Sequence, residues 1–239
     1  MLILDHVTKQ YPGTGKGITD LSLQICPGDL YAFLGRNGAG KTTTLKAVAG
    51  IHRIDSGRIL IDGMDLAQNS LSCRQKMAYI PDNPDLYDYL TGIQYLQFTA
   101  DVYGVSTEDR KQRIRKYSEA LEITDALGNL ISGYSHGMKQ KLALISAFLH
   151  EPKLLLLDEP FVGLDPVAAV TLREMMQELC RKGGAIFYST HVLETAQKLG
   201  TKAAIIDGGR ILSSGTMEEL LQSGSSLEDT FLEVTGHDK

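Results

Sequence analysis

No stretch of this sequence reaches the roughly 18 consecutive apolar residues that a membrane-spanning helix requires, so the chain is not expected to cross a bilayer itself. The opening Met1-Leu2-Ile3-Leu4 is interrupted by Asp5, which argues against a signal peptide. Cysteine is scarce: Cys26, Cys73 and Cys180 stand alone, without C-x-x-C spacing. That pattern indicates neither a disulfide framework nor a zinc site and fits a reducing cytoplasm. An excess of basic charge is missing too. The formal net charge is −5 and the sequence pI about 5.7, so nothing draws the chain to a phosphate backbone, and nucleic acid is not an expected partner. Neither a repeat of solenoid length nor a low-complexity segment is present. At 239 residues the chain can bury a full core, as one large domain or as one carrying a sizeable insertion.

What the chain does have is a glycine-rich turn in an informative place. Gly35-Arg36-Asn37-Gly38-Ala39-Gly40-Lys41-Thr42 meets the spacing G-x-x-x-x-G-K-[ST] of a phosphate-binding loop. The apolar run Leu30 to Leu34 before it reads as a buried strand, and Thr43 to Ala49 after it as the first turns of a helix. A strand entering a helix through such a turn leaves backbone N–H groups unpaired at the positive helix end, where an anion is stabilised. Glycine lets that backbone wrap a phosphate without a clashing Cβ. Lys41 can reach the β and γ oxygens of a nucleotide, and the Thr42 hydroxyl can ligate Mg²⁺. A glycine-rich turn with an incidental lysine would share the spacing but not this flanking context.

A second element carries acid. Lys153-Leu154-Leu155-Leu156-Leu157-Asp158-Glu159-Pro160 reads as a strand buried on both faces of a parallel sheet. Its carboxyl end is where ligands of open α/β sheets bind. Asp158 is the expected holder of Mg²⁺, directly or through water, and Glu159 the candidate general base for water attacking a γ-phosphate. A buried strand followed by a polar turn would leave the adjacent carboxylates unexplained.

Strands and helices alternate along the chain, with a helical stretch in the middle. From Leu2 to about Pro81 the signals are β, and Gly57 to Gly63 has the alternation of an antiparallel strand. From Asn83 to about His150 helical periodicity takes over. There, Ser106 and Asp109 make a capping box, and Ile114, Tyr117 and Leu121 share one face. The basic run Arg110, Lys111, Arg113, Arg115 and Lys116 is the solvated side of that helix rather than a nucleic-acid patch. After Glu151 the α/β pattern returns. Asp165 and Pro166 start a helix with Val167, Val170 and Leu179 as apolar positions, and Gly183-Gly184 stops it. A strand to Ser189, a helix near Val192 to Leu199 and a strand at Lys202 to Asp207 follow. Gly-Arg-Ile-Leu occurs at 57 and again at 209, as two similar turns and strands.

Three further segments complete a pattern. Tyr134-Ser135-His136-Gly137-Met138-Lys139-Gln140-Lys141 opens an apolar helix, and it resembles the LSGGQ signature of the ATP-binding cassette (ABC) family. Val162-Gly163-Leu164-Asp165 falls where that family has its D-loop, and His191 where it has its switch histidine. Tyr11 precedes the phosphate loop at the position of the aromatic that stacks on adenine. The resemblance spans essentially the whole chain. It implies a P-loop NTPase core with a parallel-rich sheet, an antiparallel β subdomain and an inserted α-helical subdomain. Within a single ABC ATPase domain of 1–239, it assigns 1–82 and 151–225 to the nucleotide-binding core, 83–150 to the helical subdomain and 226–239 to a short tail.

The resemblance also implies ATP and Mg²⁺ as ligands. Tyr11, the loop from Gly35 through Thr42, and Thr43 would bind the nucleotide; Thr42, Asp158 and Asp82 would serve the metal; Lys41, Glu159 and His191 would serve catalysis. ABC proteins complete each ATP site with the signature of a second chain, so Ser135 and Gly137 are expected to meet a partner's γ-phosphate. The implied partners are another ABC subunit, identical or related, and an integral-membrane permease that holds the chain at the inner face of the cell membrane. The segment Asp82 to Leu90 offers aromatics to that permease, although Leu86, Tyr87 and Tyr89 could equally pack locally. The tail from Ser226 to Gly236 resembles the ending of bacterial export ATPases and is too short for the extra β domain of many sugar importers. A soluble ABC assembly or regulatory factor would share every motif; a chromosome-type clamp would need a long coiled coil in place of 83–150.

Two motifs depart from the family pattern, at three positions. His136 stands where the first signature glycine is usual and Met138 where glutamine is usual, and Asp82 occupies the Q-loop glutamine position. A carboxylate can ligate Mg²⁺ or orient water but cannot donate a hydrogen bond as an amide can.

Overall fold

Four consecutive leucines can be buried on both faces only inside a sheet that is covered on both sides. The computed structural model, which describes residues 1–13, 15–221 and 226–236, places them there. In chain order the elements are β1 (Leu2–Gln10), β2 (Gly17–Ile25), β3 (Leu30–Leu34), α1 (Lys41–Val48), β4 (Ser56–Ile61), β5 (Met64–Asp65), α2 (Ser70–Gln75) and β6 (Met77–Ile80). Then come α3 (Gly92–Val102), α4 (Thr107–Ala120), α5 (His136–Phe148), β7 (Leu154–Asp158), α6 (Pro166–Arg181) and β8 (Ala185–Thr190). The chain continues through α7 (Leu193–Leu199), β9 (Lys202–Asp207), β10 (Arg210–Thr216), α8 (Met217–Leu221) and α9 (Leu227–Thr235).

The central sheet has the order β10-β9-β3-β8-β7-β6, and every pairing in it is parallel except β10 with β9. Strand periodicity sends alternate side chains to opposite faces. Leu155, Leu157, Ile186 and Tyr188 therefore join a core with Leu96, Tyr117 and Leu142 of the helical stretch. Leu154, Leu156, Phe187 and Phe33 join a second core with Leu45 of α1 and with the sheet β2-β1-β4-β5, whose pairings are all antiparallel. The expected mixed α/β architecture is present.

Local readings hold with instructive differences. Ser106 caps α4 by accepting from the Asp109 N–H at 3.1 Å, and its hydroxyl donates to the Asp109 carboxylate at 2.7 Å. The reciprocal capping box of this region sits instead at Thr91 and Gln94, opening α3. Ile114, Tyr117 and Leu121 are buried as expected. Of the basic run, Arg113 donates to the Leu149 carbonyl at 2.6 Å and pairs with Glu151, Lys116 pairs with Glu178, Arg115 with Glu119 and Arg110 with Asp101. Most of the run is thus neutralised at the surface. Helix α6 starts at Pro166 with Asp165 as N-cap, but Val167 and Val170 are exposed, and the buried stripe runs through Ala168, Leu172, Met176 and Leu179. The tail forms α9, whose Leu227 is fully buried. The core boundary at 225 and the last three tail residues lie outside the described residues.

The antiparallel sheet is tied to the central one by charge. Asp62, just beyond β4, accepts from Lys76 at 2.5 Å and from Lys153 at 3.0 Å, on the segments leading into β6 and β7. The two ammonium groups pull its carboxyl down from 3.8 to about 2. A carboxyl with a depressed folded pKa contributes stability that is full above its unfolded value and lost as pH falls towards its folded value. Asp62→Asn should therefore destabilise the fold at pH 6, and the gap from the parent should close between about pH 4 and 2. Urea midpoints across that range check it; a gap that does not change with pH would contradict the assignment.

Candidate active site

In parallel strands all carboxyl ends lie on one edge of the sheet, and this is what brings distant motifs together. Leu34 of β3 registers with Thr190 of β8, and Asp158 of β7 with Ser189 of β8. The phosphate loop, the acidic pair and His191 leave neighbouring strands at the same level. The loop turns directly into α1, which starts at Lys41, two residues before the expected helix start at Thr43. Two glycines are sterically required there. A Cβ on Gly35 would lie 2.5 Å from the Ile206 carbonyl, and Gly40 has φ of +112° with Ile18 2.8 Å from where its Cβ would be. Arg36, Asn37 and Gly38 are exposed, whereas Ala39 is buried and its carbonyl accepts from Gly209 N–H at 3.0 Å.

Lys41 is nearly buried. Its ammonium donates to the carbonyl of Gly35 at 2.7 Å and of Arg36 at 3.3 Å, and lies 3.6 Å from Glu159 Oε1. Glu159 Oε2 is 3.0 Å from His191 Nδ1. The three residues expected to serve catalysis are thus one contiguous group. Glu159 has φ of +47°, a conformation that costs a non-glycine residue about 1 kcal/mol or more and is concentrated at functional sites.

Asp158 is 1 % exposed. Its Oδ1 accepts from the Ser189 hydroxyl at 2.5 Å, while its Oδ2 is buried with no hydrogen-bond partner among the described residues. Ser189 also accepts from the Glu159 N–H at 3.0 Å, so one hydroxyl orients both acids. Burial pushes the Asp158 carboxyl up, helped by the nearby charges of Asp82 and Glu159 and opposed by hydrogen bonds from Ser189 and Thr42. A half-satisfied buried carboxylate beside a threonine hydroxyl is a donor set that suits a hard cation. Asp82, exposed just past β6, is close enough to act on Asp158 electrostatically, and its Oδ1 accepts from the Asn83 N–H at 2.9 Å.

Tyr11 stands on the other side of the loop. With Lys16, Gly17, Gly38, Gly40, Lys41, Thr42 and Thr43 it lines a cleft of about 310 Å³. Its ring meets His52 edge-on, with centroids 5.7 Å apart and planes at 86°. Ser135 and Gly137 are not brought to this cleft. They open α5, where Ser135 is the N-cap and accepts from the Met138 N–H at 3.3 Å. Sequence reasoning missed Ser189 and His52. Ser189 had a signal, since a polar residue ending an apolar strand must find a partner, but the partner is fixed only by register. His52 had none.

The comparisons agree with this geometry. Residues 18–162 match the family described as ABC transporter. The chain is 34% identical over 225 residues to the ABC-type transporter ATP-binding protein EcsA of Bacillus subtilis (strain 168), covering 92% of this chain and 91% of that protein. It is 30% identical over 235 residues to the linearmycin resistance ATP-binding protein LnrL of the same organism, covering 98% of this chain and 75% of the other. A solved ATP-binding subunit of an ABC transporter superposes with a TM-score of 0.94 at 34% identity, over 98% of this chain and 99% of that one. Among the described residues no helix is long and apolar enough to cross a membrane. The chain belongs to the ABC transporter family, as an ATP-hydrolysing, ATP-binding subunit.

Proposed function

We propose that this chain powers an exporter from the inner face of the cell membrane, by ATP-driven closure and hydrolysis-driven opening of a dimer of ABC subunits. The observation that carries the chemistry is the contiguous group Lys41, Glu159 and His191 beside the half-satisfied Asp158. ATP lies with its base on Tyr11 and its phosphates along Gly35 to Thr43. Glu159 takes a proton from water as the water oxygen bonds to the γ-phosphorus. The bond to the bridging oxygen breaks, and ADP and phosphate result. Lys41 and the loop amides hold the charge that develops, and His191 positions Glu159 and contacts the γ-phosphate. Thr42 and Asp158, with Asp82 nearby, would hold Mg²⁺, which would supply positive charge to neutralise the phosphates. Ser135 and Gly137 complete the site of a partner chain, a reading supported by their not lining the chain's own cleft. The core comprises 1–82 and 151–225, and 83–150 is the helical subdomain that carries the signature.

The permease-binding reading is supported by a groove of about 290 Å³ lined by Tyr79, Tyr87, Tyr95, Phe98, Tyr103 and His150. Tyr87 and Tyr89 are exposed, whereas Leu86 is buried. His150 stacks on Tyr103 at 3.6 Å, and burial pushes its imidazole down to about 4, so it is neutral at physiological pH. The similarity to a resistance protein supports export. Purification from native membranes tests the assignment: an integral-membrane protein should co-purify with the chain, and a soluble complex instead would replace the transporter reading with an assembly or regulatory one.

Glu159→Gln preserves shape and removes the base. Hydrolysis should fall by roughly 10²–10⁴-fold, ATP binding should survive, and an ATP-dependent dimer should accumulate on size-exclusion chromatography. Near-normal turnover would place the base elsewhere.

Asp82 separates a metal role from a coupling role. If its carboxylate serves Mg²⁺, Asp82→Ala should raise the Mg²⁺ needed for half-maximal activity, and Asp82→Asn less so, because an amide oxygen still coordinates a hard cation. Titration of the isolated subunit decides. An unchanged Mg²⁺ requirement in the Ala variant removes Asp82 from the metal set.

A further inference from the structure

The signature departs from the family at His136, and the structure shows where that ring goes. It lies against Gly163 of the D-loop: a Cβ built on Gly163 would sit 2.6 Å from His136 Cδ2 and 2.9 Å from Nε2. Gly163 has φ of +79°, so two constraints keep it a glycine, the backbone angle and the imidazole above it. The neighbouring contact is equally close, since a Cβ on Gly137 would lie 2.9 Å from the Gly163 carbonyl oxygen. One helical turn on, Lys141 Nζ is 2.7 Å from Asp165 Oδ2, and Asp165 in turn caps α6 by accepting from Ala168 N–H at 2.8 Å. The start of α5 and the D-loop therefore approach closely at His136 and Gly137 and are joined by the Lys141–Asp165 ion pair.

The D-loop is short and begins at the acid. Val162 N–H donates to the Glu159 carbonyl at 3.1 Å, so Gly163 follows Glu159 by a single hydrogen-bonded turn. Displacing Gly163 must therefore displace or strain the turn that holds Glu159 in its left-handed conformation. A glycine at position 136 would have no side chain to lay on Gly163 and would leave this face of the D-loop uncovered.

We infer that His136 is a positioning residue that locks the signature to the D-loop, so that a signature engaged on the partner chain's nucleotide fixes the setting of its own chain's Glu159. The inference rests on the two-chain site proposed above. The imidazole acts as a flat packing surface between the two motifs, with its other side exposed towards the surroundings of α5. The two nucleotide sites of a dimer are then coupled through packing within each chain. Met138, the second departure in the signature, has its N–H bound by Ser135 and its side chain against the helical core, and takes no part in this lock.

The test uses the full chain carrying Glu159→Gln, with Mg-ATP, and measures the dimer dissociation constant by sedimentation. His136→Gly should weaken the dimer at least about fivefold, the low end of the usual range for coupling between sites. Binding of a fluorescent ATP analogue to the chain's own cleft should stay within about twofold. His136→Phe, which keeps a flat ring without its nitrogens, should restore most of the dimer affinity. Gly163→Ala should cost less in the His136→Gly chain than in the parent, because a double-mutant cycle cancels the backbone strain and leaves the contact between the two residues. A Phe variant as weak as the Gly variant would mean that the imidazole nitrogens act directly, and would overturn a packing role. Additive effects in the cycle would overturn the contact. A dimer unaffected or tightened by His136→Gly would overturn the inference alone, whereas no ATP-dependent dimer in the Glu159→Gln parent would overturn the two-chain site and the inference with it.

Discussion

A carboxylate buried at the end of an apolar strand and satisfied on only one side is the interaction around which this molecule is arranged. Taking Asp158 out of water is costly unless the charge gains partners, and the protein supplies the Ser189 and Thr42 hydroxyls while leaving Oδ2 open. That arrangement requires Leu154 to Leu157 to hold β7 in the sheet centre, β8 to bring Ser189 level with it, and the phosphate loop to leave β3 on the far side of β8. It also sets the backbone of the next residue, because the same Ser189 hydroxyl accepts from Glu159 N–H. Glu159 can then reach towards Lys41 and His191 together. The adverse electrostatics are local, since Asp82 and Glu159 both act on Asp158 to push its carboxyl up. A bound cation would relieve them, which links the stability of this edge of the sheet to its ligand.

Much of this was legible in the sequence because the signals are short-range. A glycine loop between a strand and a helix, a leucine run closed by acids, and an Asp-Pro helix start each depend on neighbours in the chain, and each was found at its place. The convergence of the phosphate loop, Asp158, Glu159 and His191 needed only that their strands be parallel neighbours. What could not be read depends on tertiary register and facing. Ser189 owes its role to the pairing with Asp158, and His52 owes its contact with Tyr11 to the fold of the loop after α1. The valines of α6 show the opposite failure. Val167 and Val170 are apolar positions of the helix, yet Ala168 is the buried residue of its first turn while both valines are exposed.

The helical stretch illustrates how one insertion serves two surfaces. Its α5 is buried through Leu142, Leu144 and Ile145, which fixes it to the same core face as Leu155 and Leu157 of β7. Attachment at that level lets its first turn lie against the D-loop at Gly163, while just past its last turn His150 stacks on Tyr103 in the aromatic groove. A helix of ordinary length therefore joins the proposed permease groove at one end to the signature at the other.

The tail adds a constraint on the histidine side of the site. His191 is followed almost at once by α7, a short helix with little to hold it in isolation. The chain covers α7 with its own ending: Leu227 is fully buried, its N–H donates to Gln197 at 2.9 Å, and Thr230 bonds the Leu220 carbonyl at 2.8 Å. Helix α9 thus packs on α7, and α7 carries His191 at its entry. The resemblance of this ending to export ATPases concerned sequence, but its physical effect here is structural. The half-exposed imidazole, 3.0 Å from Glu159, thus stands at the entry to a helix that the tail packs on.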